Sequence, residues 1–238
     1  MFSEFSKTTF LLIFVVGLVC GFGSRFSFAM PQHGMDSENM TQNIEDKQIK
    51  HLQRLAETTI SLLIASRNVI AKNQELINLD PSTGNYYFKG FVPAIVGSDI
   101  ANDFSLMTSY TLKQTSLNIR NPSNAPDEWE RKILASFKSN KLQKGNGTGE
   151  IQDKGNTKVY RYLKPLYVTK PCLECHGAKE DIRPEISEFL EKRYPNDNAL
   201  GYKEGDLRGG ISIIIPLEDF DLELHDLYIC IVCAVYIF

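Results

Sequence analysis

The chain has 238 residues, 42% hydrophobic, 23% charged and 11% aromatic, which is enough apolar material for one good core. That profile excludes a disordered tail, a collagen-like fibre and a disulfide-dense mini-protein. With 26 Lys+Arg against 29 Asp+Glu the formal charge is −3, and no long basic block occurs, so nucleic acid is not an expected partner.

Residues 10–23 are an unbroken run of Phe, Leu, Ile, Val, Gly and Cys, with Lys7 before it and Arg25 after it. As a helix this run is about 21 Å long, short of a hydrocarbon layer of about 30 Å. Residues 1–29 therefore read as a secretory signal peptide, with Ser27 and Ala29 as the small residues before a cut. A membrane anchor that recruits its flanks is the competing reading. Gly17, Gly21 and Gly23 argue against a buried core helix. Val19 stands where lipid attachment at Cys20 would need a small residue.

Residues 30–44 read as a polar linker. Over residues 46–78 the apolar residues Ile49, Leu52, Leu55, Ile60, Leu63, Ile64 and Ile70 recur mostly three or four apart, which predicts a long amphipathic helix. A homodimer through this helix is one expected association. The turn cluster DPSTGN at residues 80–85 ends it. A second helix is predicted over residues 92–110, with Pro93 in its first turn. Residues 115–120 alternate as a short strand, and Pro126 with Asp127 starts a helix that runs to about residue 139.

A Gly/Asn-rich tip at residues 144–149 opens a β region with strands at 149–152, 157–167 and 209–215. Arg161, Lys164 and Lys170 interleave there with Tyr160, Tyr162, Leu163, Leu166 and Tyr167, as in an antiparallel sheet with one buried face. The fold class is α+β: an antiparallel sheet with a long N-terminal helix and flanking helices. Neither GxGxxG nor a Walker loop is present. Residues 227–238 (LYICIVCAVYIF) are continuously apolar but too few to span a bilayer. Residues 223–238 read as the start of a transmembrane helix truncated relative to longer relatives, with Cys230 and Cys233 buried in the membrane.

The chemistry lies in PCLECHG, where Cys172, Cys175 and His176 form C-x-x-C-H, the attachment sequence for c-type haem. The two-residue spacing brings both sulfurs to one edge of a porphyrin for thioether formation, and the adjacent His ligates the iron. From the Cys and His content, chance places this pattern on the order of twice in a thousand such chains. A thioredoxin-like dithiol would want a βαβ context, and a structural zinc would want a fourth ligand; haem explains all three residues.

The blocks FVPAIVGSDIANDF, LKQTSLNIRNPSNAPDEWE, KPCLECHG and ALGYKEGDLRGGISIIIP, in that order, resemble the DUF3365 family over residues 45–222. The resemblance implies an extracytoplasmic haem c domain of PAS-like fold, one haem per chain, on the outer face of the bacterial inner membrane or in the periplasm. In many members such a domain precedes a transmembrane helix and a HAMP linker with a kinase, chemoreceptor or cyclase output. The expected function is a sensor or input domain whose iron redox or ligand state is read through a C-terminal membrane helix. The alternative is a monohaem cytochrome acting in electron transfer. No acid/base constellation beside the motif suggests an enzyme.

His176 is thus the expected proximal ligand. On the other face stand Met107, His51 or an exchangeable position open to a small gaseous ligand, with His33 and His225 as lesser candidates. Arg120, Arg161 and Arg208 are candidate partners for the haem propionates, because guanidinium forks match carboxylates. A redox protein is the other expected partner.

Overall fold

The computed structural model describes residues 37–139, 142 and 145–218, with side chains from residue 45 onward. The two apolar ends, with Cys20, His33, His225, Cys230 and Cys233, lie outside the described residues.

Helix α1 (Ser37–Lys72) begins inside the segment expected to be linker and is followed by a single helical turn, Gln74–Ile77. Leu52, Ala56, Ile60 and Leu63 recur every three or four residues and are fully buried, so they form the inward stripe of α1. They pack on one face of a four-stranded antiparallel sheet of order β1-β4-β3-β2, made of β1 (Thr111–Thr115), β2 (Thr148–Lys154), β3 (Thr157–Tyr167) and β4 (Leu207–Pro216). Strand alternation puts Leu112, Tyr160, Tyr162, Ile211, Ile213 and Ile215 on that face. Each such side chain contributes about 1.5–3 kcal/mol by leaving water.

The opposite face carries Leu163, covered by Trp129, Leu134 and Phe137 of helix α3 (Glu128–Lys138). This helix starts where Pro126 and Asp127 predicted. Asp127 accepts from the Glu130 amide at 2.9 Å and Glu130 accepts from the Asp127 amide at 3.0 Å, a reciprocal cap. Helix α2 (Pro93–Met107) leads into β1, also as expected.

Two expectations need correction. The strand expected at 115–120 ends at Thr115, because register against β4 pairs Thr111 with Ile214 and Thr115 with Gly210. From Ser116 the chain turns away, and the Ser116 hydroxyl donates to the carbonyls of Asn118 and Arg208 at 3.0 and 2.7 Å. Helix α4 (Pro184–Arg193) was not predicted; its buried face is only Ile186 and Leu190, too short a repeat to register as periodicity. No described helix is long and apolar enough to cross a membrane.

Candidate functional site around the Cys-Cys-His turn

Between β3 and β4 the chain leaves the sheet, and the C-x-x-C-H residues occupy a tight 3-10 turn (Lys170–Cys172) followed by a single α-helical turn (Leu173–His176). Gly177 closes it: a Cβ there would lie 2.7 Å from the Leu173 carbonyl oxygen, so no larger residue fits without moving backbone. The third apolar cluster, Ile182, Ile186 and Leu190 with Phe88 and Phe189, supports this segment and includes Cys175. Both thiols are reduced and half-buried. Burial pushes the Cys175 thiol up to about 11, opposite to the depressed values that activate a redox dithiol.

His176 is the buried residue of the motif. Its Nδ1 lies 2.7 Å from the Ala199 carbonyl oxygen, which can only accept, so Nδ1 carries the proton and Nε2 presents its lone pair. Burial first, then the charges of Arg208 and Arg120, hold its pKa down to about 2, so the ring is neutral at any physiological pH. Arg208 Nε donates to Nε2 at 3.3 Å, and the Tyr202 ring stands edge-on at 6.0 Å. The backbone of residues 199–202 is tied to the turn, with Gly201 N donating to Gly177 O at 2.8 Å and Tyr202 N to His176 O at 2.9 Å.

Arg120 binds these segments together. Its Nε pairs with Asp197 Oδ2 at 2.8 Å, while Nη2 donates to the carbonyls of Cys175 at 2.6 Å and Ala199 at 3.3 Å. Asp197 in turn accepts from the Ala199 amide at 2.8 Å. Arg120 is therefore paired with a carboxylate and acts as a clamp on the turn. Arg161 lies away from the turn. It lies under Trp129 and pairs with Asp127 and Glu130, and its register position on β3, opposite Ile214, is the far end of β4 from Arg208. Of the three expected arginines only Arg208 borders His176 with an unpaired charge; it also donates to Ser116 Oγ at 2.6 Å and Asn118 O at 3.3 Å.

One residue was missed. Arg67 of α1 is half-buried, its charge is felt by His176, and its own strongest electrostatic partners after burial are Cys172 and Arg208. Nothing in its local sequence, ASRNV, distinguishes it from a solvated helix residue.

The two expected distal ligands are not brought to this pocket. Met107 is 84% exposed at the end of α2. It precedes the β1 residue paired with Ile214, a position about 20 Å along β4 from Arg208. His51 lies on α1 beside an open groove lined by Lys47, Lys50, Arg54 and Glu57, about 24 Å along the helix from Arg67. Among the described residues no three His, Cys, Asp or Glu side chains converge as a structural zinc would need.

A family model described as Tll0287-like matches residues 42–216. Among solved structures, the cyanobacterial heme-protein Tll0287 is 25% identical, with a TM-score of 0.55 over 70% of this chain and 95% of that one. No curated protein matches the chain.

Proposed function

From the premise that this chain belongs to the Tll0287-like family, the family anticipated from its sequence blocks as DUF3365, we propose that it is a c-type haem-binding sensor or input domain. The observation that carries the reading is His176, neutral, with its tautomer set by the Ala199 carbonyl so that Nε2 keeps its lone pair, in the same short turn as Cys172 and Cys175. The donor set suits haem c: two thiols at thioether spacing, one imidazole nitrogen, and unpaired cations for two propionates. The bound group supplies an iron centre that changes oxidation state or takes a small ligand. The protein's part is to hold that centre and restrict what reaches it. His176 would hold the iron through Nε2, and Arg208 would then give up its bond to that nitrogen while keeping Ser116, Asn118 and Tyr202 as partners.

The sensor reading is preferred to electron transfer because, among the described residues, Met107 is exposed at the end of α2 and His51 lies about 24 Å along α1 from Arg67, so neither would serve as a second strong ligand. A C-terminal membrane readout fits the chain order, since Arg208 sits near the start of β4 and this strand leads directly toward the apolar C-terminal run. Extracytoplasmic location follows from the N-terminal apolar run together with the covalent attachment chemistry. We assign it no catalytic turnover.

The test is the full chain exported in a host that matures c-type cytochromes. Intact mass should show one covalent haem, lost in Cys172→Ala with Cys175→Ala, and the reduced spectrum should shift on adding carbon monoxide. A chain without covalent haem refutes the reading. Covalent haem that is six-coordinate and indifferent to carbon monoxide would move electron transfer ahead of ligand sensing.

A further inference from the structure

Helix α1 and strand β4 run in opposite directions, and two contacts fix their alignment. The Tyr162 hydroxyl, on the residue opposite Ile213, donates to Glu57 Oε1 at 2.8 Å. Further along α1, the Arg67 stem lies beside Gly97: a Cβ there would stand 3.0 Å from Arg67 Cγ and Cδ and 3.3 Å from Nε2 of Gln114, the residue opposite Ile211. Residue numbers therefore rise along α1 as they fall along β4, and the end of β4 at Pro216 points toward the N-terminal turns of α1. Leu217 agrees with this alignment, since it packs against the core cluster that contains Leu52.

Those turns carry a basic stripe. Lys47, Lys50, His51 and Arg54 recur at helical spacing over about 10 Å, all of them exposed and on the side of α1 away from the buried Leu52 and Ala56. They line one open groove together with Gln53 and Glu57. Glu57 is engaged elsewhere, because the same Oε1 that accepts from Tyr162 also accepts from Gln53 Nε2 at 3.0 Å. Among the described residues no ion pair holds Lys47, Lys50 or Arg54, and the neighbouring Glu45 and Asp46 form none with them.

The chain that leaves β4 in this direction is the chemical complement of the stripe. Residues 218–226, EDFDLELHD, hold five acids, and no Lys or Arg follows Arg208 anywhere in the sequence, so these carboxylates have no cation close to them along the chain. Asp219, Glu223 and Asp226 fall four and three apart, the spacing that brings charges to one side of a helical segment. Even a partly extended stretch of this length reaches past the stripe, since a fully extended one covers about 30 Å. An anionic bilayer surface would repel the same acids. We propose that residues 218–226 dock on the face of α1 formed by Lys47, Lys50, His51 and Arg54, carboxylates against cations. The segment that joins β4 to the apolar C-terminal run is thereby held to α1. Exposed ion pairs are individually weak, so this fastening is reversible. It gives the proposed C-terminal readout a second point of attachment and does not depend on haem.

The test uses the full chain in a neutral detergent and follows limited chymotrypsin cleavage after Phe220 by fragment mass, read against the cut after the exposed Tyr87. Docking protects the Phe220 bond. Lys50→Glu with Arg54→Glu should speed that cut about tenfold. Adding Asp219→Lys with Glu223→Lys should restore protection, which general unfolding would not do. In the unaltered chain, salt at about 1 M, where the screening length is about 3 Å, should speed the cut as the charge reversal does, and this arm requires no variant to fold. Cleavage indifferent to both charge reversal and salt overturns the docking. Protection that appears only as protein concentration rises places the segment on a second copy, and protection that needs added phosphatidylglycerol gives the cations to the bilayer; either result overturns docking within the chain. Intact mass of the same samples judges haem binding separately, since none of these outcomes depends on it.

Discussion

Arg120→Gln is expected to be the most damaging single change outside the motif itself. The Arg120 and Asp197 side chains are each only 10% exposed, so removing the cation leaves a buried carboxylate without its partner. Breaking such a pair from one side costs about 3–5 kcal/mol. The carbonyls of Cys175 and Ala199 lose donors as well, but these losses overlap with the first and should not be added in full. With a urea dependence of about 2 kcal/mol per molar, the midpoint should fall by about 2 M. The matching Asp197→Asn strands the arginine instead, and the double variant should be less destabilised than the sum of the two by at least 1 kcal/mol. A second readout follows from position: the same clamp aligns the carbonyl that sets the His176 tautomer, so the haem-loaded fraction should drop along with stability. Strictly additive single variants, or a loss below 1 kcal/mol for Arg120→Gln, would refute the clamp.

Acid should destabilise the haem-free protein through His176. Its folded pKa of about 2 lies below the unfolded value of about 6.5, so the contribution is complete above pH 6.5 and is lost as pH falls, by about 3 kcal/mol at pH 4.5. Urea midpoints of His176→Gln should be flatter over pH 7 to 4.5, and parallel profiles would contradict this. Glu130, buried and paired with Lys113 at 2.9 Å and Arg161 at 3.7 Å, should cost about 3 kcal/mol as Glu130→Gln. Because this cluster is remote from the Cys-Cys-His turn, the haem spectrum of that variant should stay unchanged; a spectral shift would counter the separation of the two sites. The proposed homodimer through α1 would use Leu62 and Val69, one heptad apart and 70% and 59% exposed. Leu62→Glu with Val69→Glu should convert a dimer to a monomer by light scattering, and a monomeric wild type would refute the association.

What could be read from the sequence was local. The motif is five contiguous residues, so its chemistry needs no fold to be recognised. The α1 stripe and the Asp127 start of α3 depend only on helical periodicity and capping. The strand at 115–120 was misplaced because alternation marks extended chain without its ends; those are set by pairing with β4, nearly a hundred residues later. The arginines show the same limit. Arg120 stands out in the sequence as a candidate anion partner, yet the carboxylate it pairs with is Asp197, 77 residues away. Arg161 was drawn off by Asp127 and Glu130, and Arg67 was hidden in a helix interior. Residue type signalled an anion partner; which arginine has one to spare is a property of tertiary neighbours. The glycines of GDLRGG divide similarly: Gly205 has φ +87 at the turn, whereas Gly209 is needed for strand contact, since a Cβ would lie 2.3 Å from Thr115 O.

The motif sits at the end of the sheet where β4 begins, with His176 bonded to Arg208. β4 is a central strand, paired to β1 and β3, and a central strand does not slide without breaking two ladders. Under the sensor proposal, a change at His176 would therefore reach the Arg208 side chain and the loop before it rather than the strand. Arg208 bonds His176 Nε2 through Nε and, at the same time, Ser116 Oγ and the Asn118 carbonyl through Nη1. Were His176 to hold a metal through Nε2, the first of these bonds would be lost and the other two kept. Such a change would act on the loop 199–206, which is fastened to the turn through Gly201 and Tyr202 and to the end of β3 through Gly205 N and Val168 O at 2.9 Å. The proposed sensor role requires a part that is rigid on the sheet side and adjustable on the ligand side, and an electron carrier would gain from having both sides rigid.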